Sequence, residues 1–446
     1  MSGYKFHIKE TISLAYPVVI GQLGHMMLGV VDTLMVGRIG AVPLAASSLV
    51  NGLILLILVL GIGMSVALTP LISIAKGADN HDECGVILRQ GLLVNVVFAI
   101  LLMLVVYFLS DLIHYMNQPP EVARYAESYL KILSISIVPF MVFQTYKQFS
   151  EGLSFTKPPM VILLISNVIN AFGNWVLIYG NLGFPRLELD GAGYSTLITR
   201  VFIAVALFLY IRTAKSFKEY DPSLHFRSIN WKMIKQIITL GIPGGFQMFF
   251  EVGAFAFAAV MIGWIGTNEL AAHQIAMNLA SITYMVGLGI GMAATIRVGY
   301  YYGKKDLRGI KEAAYTAFGI IAVIQTGFAI IFFVLRNFLP TLYIDDANVI
   351  EIASSLIIIA GIFQIVDGLQ AVGVSILRGL TDITATMIIA FISFWVFGLP
   401  TAYLLGFTFG LGVQGVWISF VVGLSLAALL FFLRFRNFLK KQSFIN

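Results

Sequence analysis

Three carboxylates fall inside long apolar stretches of this sequence: Asp32, Glu251 and Asp367. An ionised carboxylate at a bilayer centre costs roughly 2.5–3.5 kcal/mol on insertion scales, so each needs a partner, a proton or a water-filled cavity. If Glu251 and Asp367 approach each other, like-charge repulsion and desolvation favour a site that holds a proton or a hard cation such as Na+. Coupling a downhill ion to uphill export requires a site of that kind. Asp32 and Glu251 lie about 10 Å apart in depth when their stretches are superposed as repeats, on a similar helix face, so each half of the chain has its own acid. Asn167, Asn170 and Asn174 recur at three and four residues, and Ala192 and Thr196 are one helical turn apart. Such residues in hydrocarbon serve either as interhelical glue or as part of a site, and the spacing leaves both open. Arg200 is the one cation placed deep, where it pairs with an acid or snorkels. His25 reads as a packing residue, and His273 and Cys84 as incidental.

The elements around these groups follow from composition. Of 446 residues, 59% are hydrophobic and 11% charged, against about 45–50% and about 25% in soluble domains. Stretches such as Leu53–Ile74, Gly91–Leu109 and Leu411–Leu433 are continuous and do not alternate, which predicts membrane-spanning helices and excludes a β-barrel. Twelve spans are expected near residues 12–36, 46–75, 88–110, 129–149, 160–180, 191–211, 234–262, 273–298, 314–335, 350–376, 385–407 and 411–433. The first contains Asp32 and ends without a small-residue cleavage signal, so it reads as a helix and not a signal peptide. The net charge of +6 reflects basic cytoplasmic loops, not a nucleic-acid partner. One cysteine and scattered histidines argue against a structural zinc site.

With both termini inside, 22 of the 28 Lys and Arg residues fall on the cytoplasmic side, Lys147, Arg89, Arg297 and Arg378 among them, and five on the other. That bias orients the chain. The longest polar break divides it into lobes 1–212 and 234–446 joined by a cytoplasmic linker, 213–233. The lobes are repeats. A shift of 226 residues pairs Pro17 with Pro243 and yields 12 identities in the 41 positions from Gly37 to Gly77, where roughly three are expected by chance. One further residue of shift pairs Gly152-Leu153 with Gly379-Leu380. Six spans per repeat make the repeats parallel, a signature of secondary transporters.

Two parallel six-helix lobes, Asp32-Thr-Leu-Met-Val-Gly37 after Pro17, Pro243 followed by Glu251, and Asp367 leading to Arg378-Gly379 resemble the multidrug and toxic compound extrusion (MATE) family, in its bacterial NorM-type branch. The resemblance covers essentially the whole chain. It implies an all-α membrane fold with twelve transmembrane helices, and a cation-coupled antiporter that exports organic cations and drugs by alternating access between two lobes. By that resemblance Asp32, Asn170, Asn174, Thr196 and the Ala192 carbonyl form an N-lobe cation or proton site, and Glu251 and Asp367 a C-lobe site that takes Na+ if sodium is the coupling ion. Gln274, Tyr284 and Asp346 correspond to drug contacts, while Phe363 stands where some relatives have a tyrosine. The implied setting is the bacterial cytoplasmic membrane, with no enzyme activity, no cofactor beyond the Na+ or H+ that couples transport, and a monomer sufficing. A lipid-linked oligosaccharide flippase of the same superfamily is the alternative. An integral membrane enzyme would need a metal or phosphate motif, and no Walker A sequence occurs.

Overall fold

The computed structural model describes residues 3–223 and 229–443. Among the described residues twelve helices are long and apolar enough to cross a membrane: α1 Gly3–Gly37, α2 Ala41–Gly77, α3 His81–Tyr115, α4 Pro120–Gly152, α5 Lys157–Tyr179, α6 Glu188–Thr213, α7 Trp231–Ile265, α8 Thr267–Gly303, α9 Leu307–Leu335, α10 Ala347–Gly379, α11 Ile383–Thr408 and α12 Gly412–Lys441. Each expected span is present. Most helices run past the apolar stretch that signals them, because the backbone ladder continues into water after the roughly 30 Å of hydrocarbon is crossed. At 35 residues, α1 is about 50 Å long.

Proline separates the two repeats in local structure. Within α2 the helix breaks at Ala67, and within α4 at Ser136. Pro70 has no N–H for the Val66 carbonyl, and Pro139 none for that of Ile135, so each interrupts its ladder. The repeat-equivalent residues are Ile296 and Val366, and α8 and α10 run unbroken. In the second repeat the irregular span is α11, which widens to π-helical turns over Phe391–Gly398 and Leu404–Thr408 on either side of Pro400.

Two compact units form, Ile20–Gly245 and Met1–Val19 with Phe246–Asn446. The cuts fall two residues beyond Pro17 and Pro243 and are spaced by 226, the repeat offset. The opening segment of α1 therefore packs with the second repeat, and that of α7 with the first. Matched glycines receive these segments. A Cβ on Gly63 would lie 2.3 Å from Gly245 Cα, and one on Gly289 2.3 Å from a Val19 methyl and 3.0 Å from the Ala15 carbonyl. Equivalent contacts recur deeper in each unit. Thr69 Oγ1 donates to the Gln148 side-chain oxygen at 2.5 Å and lies 3.3 Å from the Gln148 carbonyl, and Thr295 Oγ1 donates to the carbonyl of the matching Ser375 at 2.8 Å. Gly152 abuts Ile72 and the Thr69 carbonyl, as Gly379 abuts Val298 and the Thr295 carbonyl.

The first part of the expected linker is docked. Lys215–Tyr220 forms a 3-10 turn whose Phe217 and Tyr220 are buried, with Phe217 against Phe149 and Phe155. Arg89 donates to the Asp221 carboxylate at 2.8 Å and to the Asp221 and Ser223 carbonyls. Arg227, counted above among cytoplasmic cations, lies outside the described residues.

Gly63→Ala should cost about 1–3 kcal/mol, the range for overpacking, and lower the thermal unfolding midpoint in detergent. Gly319→Ala, with nothing within 4 Å of the added carbon, should leave it unmoved. The Ser223 hydroxyl and then the Arg89 guanidinium hold the Asp221 carboxyl below its usual value. A depressed folded-state value stabilises the docked linker above about pH 4 and is lost as the pH falls through it. Protease cleavage within 213–233 should therefore rise only in strong acid, and at neutral pH in Arg89→Ala.

Candidate functional site

In the unit Ile20–Gly245, α1, α5 and α6 bring four of the predicted residues together. Asp32 is 8% exposed. Its Oδ1 accepts from Asn174 Nδ2 at 2.5 Å and its Oδ2 from Thr196 Oγ1 at 3.4 Å. Asn174 Nδ2 also reaches Asn170 Oδ1 at 3.3 Å, and Ser195 Oγ donates to the Asn170 carbonyl at 3.0 Å. Asn170 Nδ2 and Asn174 Oδ1 are buried with no protein partner. Ala192 is fully buried one turn before Thr196. The third asparagine of the face behaves differently, since Asn167 Nδ2 bonds the Leu163 carbonyl of its own helix at 2.9 Å.

Arg200, one turn beyond Thr196, neither pairs directly with an acid nor snorkels. Its Nη1 donates to Ser136 Oγ at 2.7 Å, its guanidinium lies 5.0 Å from the Phe140 ring centre, and Asp32 is within electrostatic range. His25 stacks on the same Phe140 ring, centre to centre at 6.1 Å, as a packing residue would. Sequence reasoning placed Lys147 in the cytoplasmic set and overlooked Glu151. They form a buried pair at 3.8 Å, Glu151 being 1% exposed. A basic and an acidic residue four apart on one helix were the available signal.

In the other unit, α7, α8 and α10 build the second site. Glu251 is 8% exposed and Asp367 5%, and the two carboxylates are near enough to repel. Gln247, one turn before Glu251, donates Nε2 to Glu251 Oε2 at 2.8 Å, and Tyr284 donates its hydroxyl to Oε1 at 3.3 Å. Flanking Asp367 on α10, Gln364 and Gln370 are 1% and 0% exposed with both amide atoms of each unpartnered. Buried polar atoms are ordinarily satisfied by protein, water or an ion. These amides and the Tyr284 hydroxyl are thus neutral donors available to a cation beside two carboxylates. Phe363 takes no part, because its ring packs among Phe255, Trp417 and Phe420.

Two further residues missed by the sequence reading join here. Gln247 carries no charge to single it out, and Arg378 counts by sequence among the cytoplasmic cations. Arg378 instead turns inward and donates Nη2 to Gln247 Oε1. Arg89, Lys147 and Arg297, which also belong to the cytoplasmic set, are at most 8% exposed; removing these four leaves the charge bias in the same direction.

Gln274 and Asp346 stand apart from this site. Gln274 is exposed on α8, ten residues before Tyr284, or about 15 Å along the helix. Asp346 caps α10, its Oδ1 accepting from the backbone of Asn348 at 2.9 Å and Val349 at 3.1 Å. Tyr343 reaches Asn278 Oδ1 at 2.9 Å, which places that cap at the same end of α8 as Gln274. His273, set aside as incidental, accepts from the Trp417 indole at 3.2 Å inside an aromatic cluster. Cys84 is a buried thiol.

The MatE family model matches residues 17–176 and 243–404, two segments whose starts differ by the repeat offset. The chain is 36% identical over 447 residues to a probable multidrug resistance protein NorM of Rhizobium meliloti, covering 99% of this chain and 96% of that protein. It is 33% identical over 440 residues to the multidrug resistance protein NorM of Photobacterium profundum, covering 98% and 96%. The fold superposes on a MOP superfamily transporter from Pyrococcus furiosus with a TM-score of 0.90 at 20% identity, over 99% of both chains.

Removing Asn174 should leave a buried acceptor unsatisfied on Asp32, a loss of about 1–3 kcal/mol. Asn174→Ala is therefore expected to lower the thermal midpoint of the detergent-purified protein, whereas Asn167→Ala, which removes a bond internal to α5, should move it much less.

Proposed function

We propose that this chain, which belongs to the MatE family in its bacterial NorM-type branch, exports organic cations and drugs in exchange for an entering monovalent cation, Na+ or H+. The chain is a multi-pass membrane protein and not an enzyme. The observation that carries the coupling is the C-lobe cluster, two buried carboxylates within repulsive range, served by Gln247 and Tyr284 and flanked by unpartnered amides. Nothing structural demands two acids there. With Arg378 compensating one of them at most, the desolvation of the pair is offset when a proton or cation joins it.

Asp32 with Asn170, Asn174, Thr196 and Ala192 forms the N-lobe site, in which proton uptake by the acid releases drug. Gln274, Asp346 and Tyr284 line the route of an organic cation, the first two near the outer mouth and Tyr284 deeper, where an aromatic face favours a cation. Transport proceeds by alternating access between lobes 1–212 and 234–446, with 213–233 as their cytoplasmic linker. The setting is the bacterial cytoplasmic membrane with both termini inside, as the Lys and Arg bias supports. One chain suffices. The relatives named above are multidrug resistance proteins, so the flippase alternative is not carried further.

Dye efflux from vesicles, driven first by a pure sodium gradient and then by a pure pH gradient, identifies the ion. Glu251→Gln and Asp367→Asn should each reduce the initial rate by about tenfold or more, the loss of one interaction worth about 1.4 kcal/mol, while the protein still inserts and elutes as one species. Undiminished efflux by both would remove the C-lobe assignment. Asp32→Asn should flatten the dependence of efflux rate on pH, and an unchanged profile counts against its protonation.

A further inference from the structure

The buried charges differ between the lobes. In the unit Ile20–Gly245, Asp32 has Arg200 within electrostatic range, and Lys147 pairs with Glu151 at 3.8 Å. Each of these two acids thus has a base near it, and the further buried cation of that unit, Arg89, pairs with Asp221 at 2.8 Å. In the other unit the groups that face one another around Glu251 are Asp367 on α10, Arg378 at the end of α10 and Tyr284 on α8. With the tyrosine neutral, two acids meet one base. Arg297, the other buried cation of that unit, donates to His7 and Thr11 of α1, 13 residues or about 20 Å along α8 from Tyr284.

Arg378 is held for this purpose by a specific tether. Its Nη2 bonds Gln247 Oε1, while Gln247 Nε2 bonds Glu251 Oε2 at 2.8 Å. One amide thus faces a cation with its oxygen and an anion with its nitrogen, an arrangement that fixes its orientation. Arg378 Nε is buried without a partner, and the carboxylate that acts on the guanidinium is that of Glu251. The repeat makes the placement more telling. Arg378-Gly379 corresponds to Glu151-Gly152, and the two lobes carry opposite charges at this position.

We propose that Arg378, tethered through Gln247 to Glu251, is a resident counter-charge that leaves the C-lobe site with one uncompensated negative charge, so that a single monovalent cation occupies it at a time. The inference rests on the reading of Glu251 and Asp367 as the coupling site. Arg378 acts there as a positioning and charge-setting residue that touches neither ion nor drug. By repelling the bound cation it also keeps affinity low enough for release, the requirement of any site that must both load and unload.

The test is ethidium efflux from proteoliposomes of the full chain, with rate measured against the concentration of the driving cation, sodium in one series and protons in the other. The unaltered protein should saturate with a Hill coefficient of about 1. In Arg378→Gln and Arg378→Met the half-saturating concentration should fall at least tenfold, the scale of one unit charge within about 12 Å at an effective dielectric of about 20, and the Hill coefficient should rise toward 2. Arg378→Lys, which keeps the charge, should return both values toward those of the unaltered protein. Glutamine can hydrogen-bond to Gln247 and methionine cannot, so a common shift in both variants reports charge and not bonding. An unchanged half-saturation and Hill coefficient in both neutral variants overturns the proposal, as does an equal shift in Arg378→Lys. Efflux by the unaltered chain that neither gradient drives overturns the coupling reading, and this inference with it.

Discussion

Hydrocarbon offers no water to an ionised side chain, and the interior of this protein is organised by that constraint. Each buried charge must be answered by groups of the chain itself. Asp32 is answered by an amide and a hydroxyl, with Arg200 in electrostatic range. Glu251 is answered by Gln247 and Tyr284. Asp367 faces Glu251 and Tyr284 electrostatically, with the buried amides of Gln364 and Gln370 about one turn to either side on its own helix. Satisfied groups hold helices together, and under-satisfied ones mark where something mobile must enter.

Duplication set the frame within which those answers diverged. The glycines that admit the exchanged segments, Gly63 and Gly289, and those that seat against Thr69 and Thr295 occur at matching positions, because a close backbone approach leaves no room for a side chain in either copy. Prolines were free to differ. Pro70 and Pro139 interrupt α2 and α4, while their counterparts Ile296 and Val366 leave α8 and α10 straight. Charge diverged furthest, with Glu151 in one lobe at the place of Arg378 in the other.

Much of this was legible in the residues. Apolar length alone located all twelve spans, since crossing hydrocarbon leaves a run that no loop imitates. Rarity singled out Asp32, Glu251 and Asp367, and helical spacing placed Asn170 and Asn174 on the face that meets Asp32. Spacing could not separate Asn167 from them, because a side chain that folds back onto its own carbonyl has the same period as one that reaches across. Arg378 was hidden for a related reason. A long basic side chain at a helix end can extend to water or bend inward, and only the partner on another helix, here Gln247, decides which. Glu151 escaped notice because its neutralising Lys147 was itself taken for a loop residue.

The exchange at Pro17 and Pro243 bears on how the chain is made. The first 19 residues leave the ribosome earliest, yet the unit that holds them is completed by residues from Phe246 onward. They must wait, already committed to one side of the membrane, while some 226 residues of the other unit are synthesised. That other unit in turn cannot close until the segment ending at Gly245 has emerged. Neither repeat is therefore an autonomous folding module. A chain severed within 213–233 would yield two fragments, each holding a half-helix that belongs to the other, so that assembly becomes a reciprocal trade between them.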